Sequence, residues 1–94
     1  MSKYVIVSRL TDDGAMTLKK NPERVKEVNH ELEGMGVKVL EQYFILGGFD
    51  FLNIVEAESE TAISRAVVEL ASRGSIRTKT FTAIPIDEFI GSLE

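Results

Sequence analysis

The sequence predicts an α+β domain in which two helices cover one face of a four-stranded antiparallel sheet. Three observations lead there. Runs rich in β-branched and aromatic residues open at Tyr4, Val37, Phe49 and Ile76, a composition that suits a pleated, half-buried surface. Apolar residues at helical spacing fall between the first two runs (Val25, Val28, Leu32, Met35) and between the last two (Ile63, Ala66, Val67, Leu70). The second and third runs meet at Gly47-Gly48, which leaves room only for a hairpin. At 94 residues the chain is read as one domain spanning 1–94.

Tyr4-Val5-Ile6-Val7, continuing to Leu10, is the first strand. It is apolar at odd and even positions alike, so both of its faces are covered. Thr11-Asp12-Asp13-Gly14 breaks it with loop chemistry, and a short helical turn fits Ala15 to Lys20. Asn21-Pro22-Glu23 then starts a helix: Asn21 caps free N–H groups, Pro22 suits the first helical position and Glu23 favours the positive end of the dipole. Gly34 and Gly36 end it. Val37 to Leu46 and Phe49 to Ala57 are strands two and three, joined by a two-residue primed turn at the glycines. Ser59 caps the second helix and Gly74 closes it. Ile76 to Ile84 is strand four; Pro85 stops it, and Asp87 caps a last short turn through Phe89 and Ile90. The order β-α-β-β-α-β is the split pattern of the ferredoxin-like fold.

A two-residue turn fixes the register of the hairpin. Leu46 then faces Phe49, Phe44 faces Phe51, Gln42 faces Asn53 and Leu40 faces Val55. The opposite side carries Val39, Glu41, Tyr43 and Ile45 beside Asp50, Leu52, Ile54 and Glu56. Both sides are largely apolar and two helices cover only one, so a second subunit is expected over the other. Gln42 and Asn53 stand side by side, and buried amides need partners. A wet subunit interface supplies them, which assigns that side to the open face, with Phe44, Phe49 and Phe51 against the second copy.

Composition narrows the chemistry. The absence of cysteine excludes disulfides, thiolate catalysis and cysteine metal sites. No signal-like opening and no apolar run of about 20 residues occurs, so neither secretion nor a membrane is implied and a cytoplasmic protein is expected. A net charge of −4 disfavours a phosphate polyanion as partner. The single histidine, His30, lies off the apolar stripe of its helix and reads as a solvated residue. Asp12-Asp13 is too short a ligand series for a calcium loop. No cofactor or metal is called for, and no catalytic residue is assigned.

Leu46-Gly47-Gly48-Phe49-Asp50-Phe51-Leu52-Asn53-Ile54 is close to the aromatic signature of RNA-recognition motifs. It departs where the chemistry matters: Gly47 replaces a basic residue, Asp50 a small one and Ile54 an aromatic, and the neighbouring charges are acidic. A hairpin with an interface aromatic cluster is the better reading. Asp50, Arg9 and Arg77 approach one end of the sheet, either as a structural cluster or as the rim of a polar-ligand site. Thr78, Thr80 and Thr82 share one side of strand four and, on the open face, would line the same cavity as Gln42 and Asn53.

These residues also carry a resemblance. Gly48-Phe49-Asp50 is similar to the Gly-Tyr-Asp motif of the GYD family of small bacterial and archaeal proteins, with phenylalanine in place of tyrosine. Thr11-Asp12-Asp13-Gly14, Asn21-Pro22-Glu23-Arg24, Gly47, Val55-Glu56-Ala57 and Gly74-Ser75-Ile76-Arg77-Thr78-Lys79-Thr80 extend it over nearly the whole chain. The loss of the tyrosine hydroxyl removes any role that group has. The pattern is more distantly similar to the effector domains of leucine-responsive regulators and to dimeric α/β-barrel proteins. That resemblance implies a ferredoxin-like fold, pairing through the sheets, and in some members amino-acid binding, cofactor-free oxygenation or haem degradation.

The expectation is a homo-oligomer that binds a small polar metabolite at or between subunits. Gln42, Asn53, Thr78 and Thr80 are its polar contacts, Phe44 and Phe51 its walls, and Asp50 with Arg77 and Arg9 its rim. The alternatives are a dimeric α/β-barrel enzyme, for which Tyr43 and Asp50 are the available acid–base groups, and a structural or partner-binding subunit with Val68 as an outer contact.

Overall fold

The computed structural model describes residues 1–94. The elements are β1 (Ser2–Leu10), α1 (Asp12–Lys20), α2 (Arg24–Gly34), β2 (Val37–Phe44), β3 (Phe51–Ala57), α3 (Glu60–Ser72), β4 (Ile76–Ala83) and α4 (Ile86–Ser92). The four strands form one antiparallel sheet in the order β2-β3-β1-β4, and the fold is ferredoxin-like. The two expected helices are α2, over β2, and α3, which packs on β2, β3 and β4. Tyr4, Ile6, Leu32, Val37, Val55, Ala57, Ile63, Ala66 and Leu70 make up the buried core between the layers.

The helix boundaries follow from local capping. Thr11 does not break the chain into a loop but starts α1: its hydroxyl accepts from the Gly14 N–H at 3.1 Å and donates to the Gly74 carbonyl at 2.7 Å. Asp12 and Asp13 occupy the first turn of α1, where the dipole favours them, and Lys19 and Lys20 the last. Gly14 is buried, and a Cβ there would stand 2.0 Å from the Ser75 carbonyl oxygen. That close approach lets α1 lie against the β4 entry. Asn21 closes α1 through its backbone N–H to Thr17, so it does not cap α2, which opens at Arg24 after the Pro22 turn. Ser59 caps α3 through the Ala62 N–H at 3.1 Å, as expected. Gly36 and Gly74 take φ of +87° and +75° where the chain leaves α2 and α3. Asp87 lies in the first turn of α4, whose N-cap is Pro85 with no side-chain cap.

Two expectations about the hairpin fail. The connection is not a two-residue turn. It runs over residues 45–50, closed by the Ile45 N–H to the Asp50 carbonyl at 2.7 Å, and Leu46 is not paired with Phe49. Gln42 still pairs with Asn53 and Phe44 with Phe51, because the loop extends both strands evenly. A β-bulge at Leu40 then shifts the count, so Val39, not Leu40, lies opposite Val55.

The larger correction concerns the faces. Across β1, Tyr4 pairs with Val55 and Thr82, Ile6 with Asn53 and Thr80, and Ser8 with Phe51 and Thr78. Tyr4, Ile6 and Ser8 are buried. Gln42, Phe44, Phe51, Asn53, Thr78 and Thr80 therefore face the helices and not the open side. The physical reason is a partner the hairpin register could not reveal. Asn29 on α2 donates to Gln42 Oε1 at 2.7 Å and accepts from Gln42 Nε2 at 3.3 Å. The half-buried amide is satisfied by a helix, so no subunit interface is needed for it.

Candidate functional site

Two features stand out: a cavity beneath the helices and the uncovered sheet face with its C-terminal helix. The cavity has a volume of about 130 Å³ and lies between the sheet and α1, α2 and α3. Three residues expected in a ligand site, Gln42, Phe51 and Asn53, line it. The sheet brings them together on its inner side. Asn53 Oδ1 is buried and has no hydrogen-bond donor, and the same holds for Thr80 Oγ1. Phe44 stands edge-on to Phe51, with ring centroids 5.5 Å apart, at the end of the hairpin.

An ion-pair chain spans the helices at this cavity. Glu31 on α2 accepts from Arg24 Nη1 at 3.0 Å through one carboxylate oxygen and from Nη1 of Arg73, the C-cap of α3, through the other. Arg73 also bonds Glu69 at 3.1 Å. Hydrogen bonds from Arg73 and then Arg24 hold the Glu31 carboxyl below its ordinary value. Arg24 and Arg73 both line the cavity. The sequence reading missed Arg24, Asn29 and Glu31, all on α2, and Arg73, at the C-cap of α3, since the two segments lie far apart in sequence. The i, i+7 spacing of Arg24 and Glu31 was the one available signal.

Asp50 serves the backbone. Its Oδ2 accepts from the Leu10 N–H at 2.8 Å, and its own N–H donates to the Ser8 carbonyl at 2.8 Å. It thereby pins the hairpin loop to the end of β1. It forms no ion pair with Arg9 or Arg77, which face each other on neighbouring strands of the open face. Tyr43 lies on the open face, where its hydroxyl donates to Glu41 Oε1 at 2.6 Å, and that carboxylate raises the phenol pKa. Tyr43 and Asp50 thus bond different partners, Glu41 and the Leu10 backbone, and not each other. His30 is exposed, and no group of three or more acidic or histidine side chains is placed to hold a metal.

The open face carries Val5, Val7, Leu52, Ile54 and Phe81 at its centre. Arg9, Arg77 and Lys79 gather on the β1–β4 side and Glu41 on the β2 edge. Beyond β4, α4 carries no buried residue. Its apolar side chains Ile86, Phe89, Ile90 and Leu93 repeat at i, i+3, i+4 and i+7, one helical stripe left uncovered. Val68 is likewise exposed, on the outer side of α3. No helix is long and apolar enough to cross a membrane.

The GYD domain model matches residues 4–93. The chain belongs to the GYD family. In the Gly48-Phe49-Asp50 stretch, which resembles the family's Gly-Tyr-Asp motif, the aspartate is the residue that locks the loop to β1. A full-length relative from Thermus thermophilus is 54% identical over 95 residues, covering 100% of both chains. It is described as a glutamine synthetase and cystathionine beta-lyase binding protein. Among solved structures, MtbAldR superposes with a TM-score of 0.67 at 18% identity over 89% of this chain, which spans 52% of that one. A hypothetical protein, PHS023 from Pyrococcus horikoshii, superposes with a TM-score of 0.58 at 25% identity, covering 90% and 92% of the two chains. These likenesses agree with the ferredoxin-like fold of this chain.

Proposed function

We propose that this chain is a small accessory protein that docks on metabolic enzymes of the glutamine synthetase and cystathionine β-lyase kinds. The observation that carries the reading is the 54% identity, end to end, with a relative described by that binding. The α4 stripe supplies a docking element: four apolar side chains at i, i+3, i+4 and i+7 suit a helix laid into a partner's groove. The open sheet face is taken by a second copy. Its centre is apolar, with Val5, Val7, Leu52 and Ile54 half-buried and Phe81 exposed, a surface that suits a partner of the same kind. Arg9 opposite Arg77 is a like-charge pair that an incoming carboxylate relieves.

Immobilised glutamine synthetase and cystathionine β-lyase from the same organism test this directly. The wild-type chain is expected to bind at least one of them saturably. Phe89→Glu/Ile90→Glu is expected to lose that binding while keeping its sedimentation mass. Wild-type chain that binds neither enzyme overturns the docking reading. Val7→Glu is expected to halve the sedimentation mass, and a wild-type monomer at micromolar concentration overturns the pairing.

A second reading has its own support. Asn53 Oδ1, unpartnered beside the cavity, favours binding of a small polar metabolite within each subunit. Docking and ligand binding use different surfaces, so one chain can do both.

A further inference from the structure

The cavity makes two distinct demands on an occupant. Its walls are mainly hydrocarbon, with Val28 and Leu32 from α2, Leu70 from α3 and Phe51 and Ile76 from the sheet. A volume of about 130 Å³ is close to that of engineered apolar cavities, about 150 Å³, which stay dry and admit benzene. Yet Asn53 presents a buried amide oxygen with no donor. Arg24 and Arg73 line the same space from α2 and α3. Glu31 gives one carboxylate oxygen to each of them. A guanidinium has five N–H donors, so both keep donors free for a second carboxylate without displacing Glu31.

We propose that the cavity binds a compact hydrocarbon carboxylate with a hydrogen-bond donor remote from its acid group. The donor meets Asn53 Oδ1, the hydrocarbon body fills the space between Phe51 and Leu32, and the carboxylate joins Arg24 and Arg73. The site is complete within one subunit and faces away from the open side of the sheet. This inference rests on the ligand-binding reading and is independent of enzyme docking.

Three probes separate the demands: 4-hydroxybenzoate has both groups, benzoate lacks the donor and phenol lacks the acid. Each is titrated into ¹⁵N-labelled full-length protein while amide resonances are followed. 4-Hydroxybenzoate is expected to move the resonances of Ser8, Val28, Asn53 and Leu70. It is expected to bind about tenfold tighter than either simpler probe, the worth of one well-made hydrogen bond or charge contact. Asn53→Leu removes an acceptor that has no donor, so the fold is retained. It is expected to bring 4-hydroxybenzoate down to the affinity of benzoate and to leave benzoate unchanged. Arg73→Gln is expected to weaken both acids and spare phenol. Equal affinity for all three probes in the wild type overturns the proposed ligand class and leaves the ligand-binding reading standing. Cavity resonances that stay still with every probe at millimolar concentration overturn both.

Discussion

The two faces of the sheet are built from similar residues and meet opposite fates. The inner face holds Tyr4, Ile6, Ser8, Asn53, Gln42 and three threonines; the outer face holds Val5, Val7, Leu52, Ile54 and Phe81. Both faces have apolar centres, the inner one extended by Val37, Val39, Val55 and Ala57. What separates them is where the polar groups find partners. Asn29 reaches Gln42 from a helix, and Arg24 and Arg73 are tied across the top by Glu31. The outer face has charges only toward its edges. Partners reaching in from the helices mark the covered face, and the two atoms they leave without one, Asn53 Oδ1 and Thr80 Oγ1, stand out against them.

Substitution can break that contrast at several levels. Neighbouring residues of β1 give the largest effect. Ile6→Ala on the inner face should cost about 2–5 kcal/mol in urea unfolding, as truncation of a buried side chain does. Val5→Ala on the outer face should cost well under that at dilutions where any self-association is lost. Equal losses would mean that the outer face is buried within the subunit itself. Asp50→Ala comes next. It removes the charged acceptor of the Leu10 N–H and should cost about 1.5–3 kcal/mol. Binding to any enzyme partner should persist once the temperature is lowered. Loss of that binding in the folded variant would give the aspartate a role beyond the loop.

Asn29→Leu should cost about 1–3 kcal/mol by leaving Gln42 unpartnered, and Asn29→Leu/Gln42→Leu should recover most of it. Failure of the second change to rescue the first would show that the amide pair does more than satisfy itself. The smallest effect belongs to Glu31→Gln, read as stability against pH. The folded-state pKa of Glu31 is depressed, first by the hydrogen bond from Arg73 and then by that from Arg24. Its contribution is present above the unfolded value and is lost as pH falls through the lower folded one. The gap between wild type and Glu31→Gln should therefore be open at neutral pH and close in acid. A pH-independent gap would remove the ion-pair chain as its source.

The sequence made the fold legible through spacing that local physics enforces. The stripe Val25, Val28, Leu32, Met35, the Ser59 cap and the pairing of Gln42 with Asn53 all appear as expected. The α1 boundary was missed because Thr11-Asp12-Asp13-Gly14 serves equally as turn chemistry and as a helix start. What decided it was the Gly74 carbonyl, 63 residues away, which accepts from Thr11. The faces were exchanged for a related reason. Cross-strand register tells which residues share a side and says nothing of which side a helix will take. The candidate cavity was half visible: Gln42, Phe51 and Asn53 were named, whereas Asn29, Arg24 and Arg73 arrive from helices whose approach no local pattern encodes.

The bulge at Leu40 bears on how this chain tolerates changes of length. Val39 keeps its place opposite Val55 and Glu41 opposite Ile54, so Leu40 is the one residue between them that matches nothing on β3. Removing a residue elsewhere in β2 exchanges inside for outside over the rest of the strand. Removing Leu40 leaves every other pairing and both faces as they are. Homologous chains one residue shorter between Gly36 and the hairpin loop are thus expected to carry their gap here. They are expected to keep the same amide inside and the same tyrosine outside.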